Sequence, residues 1–236
     1  MTPPVVGRRP ETPVEGLLLD LGGLALAFAA GALVVRPGSA TLLSTVAPEL
    51  VRSVALPWWL SFVLGFVGMD YVQYGVHRLA HRRALWPLHL AHHTVARMHA
   101  LGAYRHGLLE STLMPGLWVG ALLSAALTDP TPFVAAIAAG FVLDGWRHAD
   151  LFATPRGPIG RVIAWALVLP QEHALHHSIP ERAVNFGANL KLWDRLHGTW
   201  APATSSARTS VGVANADSAT RLLLGVARVE SEHVRG

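Results

Sequence analysis

Between Gly16 and Val35 the chain carries twenty residues that are apolar or small, interrupted only by Asp20. A helix of that length crosses a hydrocarbon core of about 30 Å. No other feature restricts the fold as strongly, because a chain inside lipid must satisfy every backbone polar group internally. Three further runs follow: Val54 to Val76, opened by Trp58 and Trp59 as interfacial anchors; Ser111 to Leu127, ended by the turn Thr128-Asp129-Pro130; and Thr131 to Leu143, which reaches spanning length only if it continues to His148. The run Ile159 to Leu169 is too short to cross and predicts an interfacial or re-entrant helix. Charged residues make up 14% of the chain, well below the roughly 25% of soluble domains.

The expected fold class is therefore all-α: an integral membrane bundle of about four transmembrane helices with a cytosolic, histidine-rich helical cap. Arginine placement orients it. Arg78, Arg82, Arg83, Arg97 and Arg105 lie in one polar segment, and Arg156, Arg161, Arg182 and Arg195 follow His148, whereas the connections at 36–53 and 128–131 carry only Arg36 and Arg52. The positive-inside rule puts both arginine-rich segments in the cytoplasm, beneath two membrane hairpins. Residues 1–14 read as a flexible tail, 15–200 as the membrane-embedded domain, and 201–236 as a linker and C-terminal tail in which 220–234 forms at most a short amphipathic helix. Arg8 and Arg9 are followed by Glu11 and then by a run long enough to span, so a cleaved signal peptide is not expected. With the basic residues set between apolar spans, no nucleic-acid partner is expected.

The chain has no cysteine, which excludes disulfides, thiolate zinc sites and cysteine-ligated clusters within it. It has thirteen histidines, and most are grouped. HRLAH sets His77 and His81 at i and i+4. HLAHH sets His89, His92 and His93 at i, i+3 and i+4, and HALHH repeats the pattern with His173, His176 and His177. On a helix these positions share a face, so each set can aim its imidazoles at a common point. His148 closes the fourth run. Two chance copies of HxxHH would arise about 0.001 times in such a chain, so a metal site is the expected role of these nine; His197 and His233 are isolated and read as ordinary surface or core residues. Neutral imidazole suits zinc, copper, iron and nickel. One zinc needs three or four ligands, so nine histidines suit two ions. Two irons in a nitrogen-rich site can bind and reduce O2, and the apolar setting points to a lipid substrate. The two HxxHH sets must then lie within about 12 Å of each other.

The order of these motifs resembles the fatty acid hydroxylase and sterol desaturase superfamily: a histidine pair, an HxxHH box, a histidine ending a later membrane helix, and a second HxxHH box. The stretch NFGANLKLWDRLHGT, with Asn185, Gly187, Leu190, Trp193, Asp194, Gly198 and Thr199, resembles the family's closing segment, and the likeness covers about residues 55–200. It implies a membrane di-iron oxygenase with cytosolic histidines that hydroxylates or desaturates a lipid, using O2 as co-substrate and electrons from a separate carrier protein; the arginine-heavy chain with no organelle signal points to a bacterial inner membrane. The chain departs from the pattern at His99, where many members have asparagine, at His106 in the stretch GAYRHGLLE, and at Asp144, where some have histidine. His99, Asp144, Asp70 and Asp194 are therefore read as possible additional ligands or supports of the histidines, while Asp20 and Glu110 are expected to reach the membrane interface. Trp86 and Trp118 read as belt or packing residues. A zinc-dependent lipid amide hydrolase and a metal transporter are the alternative readings.

Overall fold

The computed structural model describes residues 12–151, 155–178, 183–203, 211–213 and 217–227. Most of the N-terminal tail, much of the 201–219 linker, Arg182 and the C-terminal end with His233 lie outside the described residues. The described chain is helical, with isolated β-bridges and no strands among the described residues. The helices are α1 (Pro13–Val46), α2 (58–80), α3 (Trp86–His93), α4 (Leu108–Ala126), α5 (Thr131–His148), α6 (Gly157–Ala166), α7 (Pro170–His176), α8 (Lys191–Leu196) and α9 (Ala219–Leu224).

α1 starts at a capping box: the Thr12 hydroxyl accepts from Glu15 N–H, and the Glu15 carboxylate accepts from Thr12 N–H. It then continues for 34 residues, about 51 Å at 1.5 Å per residue. The sequence predicts a connection beginning at residue 36, and the helix instead passes through Arg36-Pro37-Gly38. A π-turn at Gly31–Val35, where Arg36 N–H reaches back to Gly31 C=O, loosens the ladder just ahead of Pro37 and absorbs its missing donor. α2 carries a similar turn at Leu64–Gly68. α4 breaks at Met114–Pro115, where the Trp118 indole donates to the Thr112 carbonyl at 2.7 Å. Among the described residues two helices, α1 and α4, are long and apolar enough to cross a membrane.

The long helices pack as α1 on α4 and α2 on α5. At one end their connections are stitched together: Val54 N–H donates to Ala126 C=O, Thr128 N–H donates to Val54 C=O, and the Arg52 guanidinium donates to the Leu127 carbonyl. The histidines His77, His81 and His148 lie at the opposite ends of α2 and α5. The α2–α5 contact is backbone-close at Gly65, where a Cβ would stand 2.5 Å from the Phe133 carbonyl oxygen. Of the helix expected over 220–234, the described part is α9, which Gly225 ends in the left-handed conformation, and 228–234 lie outside the described residues. Leu222 of α9 is buried with Leu19 and Trp86, so the latter is a core residue and not part of an aromatic belt.

Gly65→Val should force α2 and α5 apart and lower stability by about 1–3 kcal/mol. Gly31→Ala, with open space around its Cβ position, should stay within about 0.5 kcal/mol of the parent. Thermal unfolding midpoints in detergent measure both.

Candidate metal centre

Each histidine motif sits at a helix end facing the same interior. His77 is in the last turn of α2 and His81 follows it; His89, His92 and His93 are on α3; His148 ends α5; His173 and His176 are on α7, with His177 just beyond. Their rings form two touching groups. The first is His77, His81, His89, His93 and His176; the second is His92, His148, His173 and His177. Within each group the ligand-capable atoms lie within 4.8 Å of one another. The groups adjoin, with the ring centroids of His93 and His177 4.4 Å apart and those of His89 and His92 5.0 Å apart.

The sequence predicts that each HxxHH set points at one place, and the structure corrects this. His89 and His93 join the first group but His92 the second; His173 and His177 join the second but His176 the first. The reason is helical geometry. With about 100° per residue, i+4 lies about 40° to one side of i and i+3 about 60° to the other. The middle histidine of each box therefore serves the neighbouring group.

These residues fit a metal. His77 donates Nδ1–H to the Phe186 carbonyl at 2.9 Å, His89 to the Glu110 carboxylate at 2.6 Å, His148 to the Asp144 carbonyl at 2.9 Å and His176 to the Val184 carbonyl at 2.8 Å. Each bond leaves the opposite nitrogen, Nε2, with its lone pair. In the first group Nε2 of His77, His89 and His176 and both nitrogens of His93 are buried without a hydrogen-bond partner among the described residues. Such atoms are costly unless something fills the space between them. In the second group the Nε2 atoms of His92 and His148 are 3.2 Å apart, those of His148 and His173 2.9 Å, and those of His173 and His177 3.1 Å. Nitrogens bound about 2.0–2.1 Å from a shared ion stand roughly 3.0–3.4 Å from one another. Burial, and then the surrounding rings, push His92, His93, His176 and His177 well below the usual histidine range; for His173 the Arg147 guanidinium adds to burial. His81 is pushed down to about 2 by burial and by His89. These six imidazoles are thus held toward the neutral form, the state a metal requires.

The sequence profile of the family described as "Fatty acid hydroxylase" matches residues 62–199, more than half of the chain and all nine clustered histidines. The chain belongs to the fatty acid hydroxylase family. It is 28% identical over 216 residues to an ornithine lipid hydroxylase of Rhizobium tropici, covering 83% of this chain and 59% of that protein. It is 28% identical to an alkylglycerol monooxygenase of Xenopus tropicalis and 25% identical to that of Homo sapiens, each over 64% of this chain and about a third of the relative (33% and 34%). The chain thus spans from a third to three fifths of the length of these curated relatives. No solved structure matches it.

Around the histidines, the remaining polar residues divide by what they touch. Asp144 faces Arg147 and His148, the latter with Nδ1 at 3.2 Å from the carboxylate. Asp194 accepts from Phe186 N–H at 2.8 Å and Gly187 N–H at 2.7 Å, so it holds the turn whose carbonyl receives His77. Among the described residues Asp70 bonds to no histidine; it accepts from Asn189 and Leu190 N–H and from the Trp193 indole. His99 joins neither group. It accepts from Gly102 N–H and lies 3.4 Å from Asp20. Two expectations at the membrane interface are overturned, because each carboxylate meets a partner far along the chain. Asp20 is buried against Arg105 at 2.7 Å, and Glu110 is buried between His89 and His106.

Sequence reasoning missed four contributors. His106 stacks on His92 with ring centroids 5.2 Å apart and rings nearly parallel. Phe186 sets its ring edge-on to His77, His81 and His176. In the expected linker, Gly212 N–H donates to the His177 carbonyl and Val213 N–H to that of His93, which closes the site from beneath. A glycine in a serine- and threonine-rich stretch is the only signal: Gly212 has φ of 86°, and a Cβ there would stand 2.4 Å from the Val95 carbonyl oxygen.

Glu110→Ala should free the His89 ring and lower metal affinity about 10–100-fold. Glu49→Ala, at an exposed site far from the histidines, should leave it unchanged. Metal retained against a competing chelator measures the difference.

Proposed function

We propose that this protein is a multi-pass membrane oxygenase that holds two iron ions and hydroxylates a C–H bond of a lipid with O2. The observation that carries the reading is the pair of adjacent all-histidine groups with lone pairs turned inward. Five and four imidazoles exceed what a single hydrolytic zinc uses, which is about three ligands and an open position. They also lie at helix ends and not at mid-span, where a transporter would hold its cargo. The two kinds of relative are named for hydroxylation or monooxygenation of lipids, which favours hydroxylation over desaturation.

Irons held by His77, His81, His89, His93 and His176, and by His92, His148, His173 and His177, would supply the O2 activation that turns R–H and O2, with two electrons and two protons, into R–OH and water. The chain's own residues hold and seal. Glu110 and the carbonyls of Phe186, Asp144 and Val184 fix the rings. The segment 211–213 and α9 exclude water from below. The electrons come from a separate carrier protein, as the likeness to the family implies.

Four crossings in two hairpins are favoured by the stitched connections at one end and the histidines at the other. Residues 15–200 are then the membrane domain, and the arginines put the histidine end in the cytoplasm. A bacterial inner membrane fits the long match to the Rhizobium protein.

His176→Ala should abolish one oxygenated lipid species in whole-cell extracts, and the parent protein should carry two irons per chain by elemental analysis. Unchanged lipids at equal protein level would remove the oxygenase reading, and one zinc per chain would point to the hydrolase.

A further inference from the structure

Helix α6 leaves a face uncovered. Ile159, Val162 and Trp165, spaced three apart, are 77%, 63% and 68% exposed, and Leu196 of the adjoining α8 is 67% exposed. Leu192 and Trp200 extend the patch. The two helices are joined firmly. Lys191 donates to the Ala164 carbonyl at 2.6 Å and pairs with Glu172, and Arg195 donates to the Trp165 carbonyl while its guanidinium lies 5.6 Å from the Trp165 ring and 5.5 Å from that of Trp200.

Three observations say what covers it. First, height: Trp193 of α8 donates to Asp70, seven residues before His77 on α2, about 10 Å along the axis from the histidine end toward the stitched connections. Asn189 lies against Gly140 of α5. The patch therefore sits beside the long helices and not below them. Second, continuity: Tyr71 of α2 and Phe141 and Val142 of α5 are exposed at that level, and Tyr71 packs on Trp193. Third, charge: between Asp150 and Glu172 there is no acidic residue, and Arg156 and Arg161 are exposed.

We infer that α6 and α8 form a platform that lies in the headgroup–acyl boundary of the bilayer, apolar side down, with Arg156, Arg161 and Arg195 facing anionic headgroups. The inference rests on the membrane reading above and not on the identity of the metal. Through Lys191–Glu172 the platform is tied to α7, which carries His173 and His176, so it fixes one wall of the histidine site at the depth of the lipid surface.

The absence of cysteine gives a direct test, because a single introduced cysteine carries a unique spin label. In nanodiscs of mixed neutral and anionic phospholipid, the label at Val162→Cys should be open to O2, shielded from a water-soluble nickel chelate, and about 5–10 Å below the headgroups. The exposed Val142→Cys on α5 should likewise be shielded, and Arg97→Cys should read as water. Adding Arg156→Glu and Arg161→Glu should move the Val162→Cys label toward the water value when anionic lipid is present. A label at Val162→Cys that matches Arg97→Cys would overturn the inference, as would dipolar broadening between labels, which would assign the face to a second copy of the chain. The measurement needs no turnover, so its failure is distinct from unchanged lipids in His176→Ala.

Discussion

A buried imidazole is fixed with a lone pair toward the interior when the proton on its other nitrogen finds an acceptor. Much of the histidine site depends on this requirement. Four acceptors meet it, and two of them, the carbonyls of Val184 and Phe186, belong to one short turn. That turn is over-determined. Asn185 occupies the left-handed region at φ of 55° and bonds to the Glu172 and Ala201 carbonyls, Asp194 receives two successive backbone N–H groups, and Arg147 donates to the Gly187 and Ala188 carbonyls. Asp70 fixes the residues that follow. The closing motif is thus a scaffold that aims rings on α2 and α7 without contributing a histidine to either group.

The same long helices do two jobs. Their apolar lengths pack through small residues such as Gly65, while their polar ends deliver His77, His81 and His148. The remaining six rings come from short helices, α3 and α7, too short to be stable alone. What stabilises them is contact with the ends of the long helices and with α9. Trp86 shows the economy of this arrangement: one buried side chain packs on Leu19 and Leu222 and also against the rings of His81 and His93.

The nine histidines were legible because a helix repeats near 3.6 residues and metal binding gathers an uncommon residue at that spacing. Their division into two groups was not, since it depends on which neighbour stands on either side of α3 and α7. The carboxylates were the hardest to read. A lone acid in an apolar run gives the same signal whether it reaches water, as expected for Asp20 and Glu110, or meets Arg105 and His89 in the interior. The expected connection from residue 36 erred in the opposite sense, because the helix runs on through Pro37 to Val46 behind a π-turn.

The crossed assignment of the two boxes has a consequence for assembly. Since α3 and α7 each feed both groups, neither site can be completed while the other is unformed. Displacing either helix therefore disturbs rings of both groups at once.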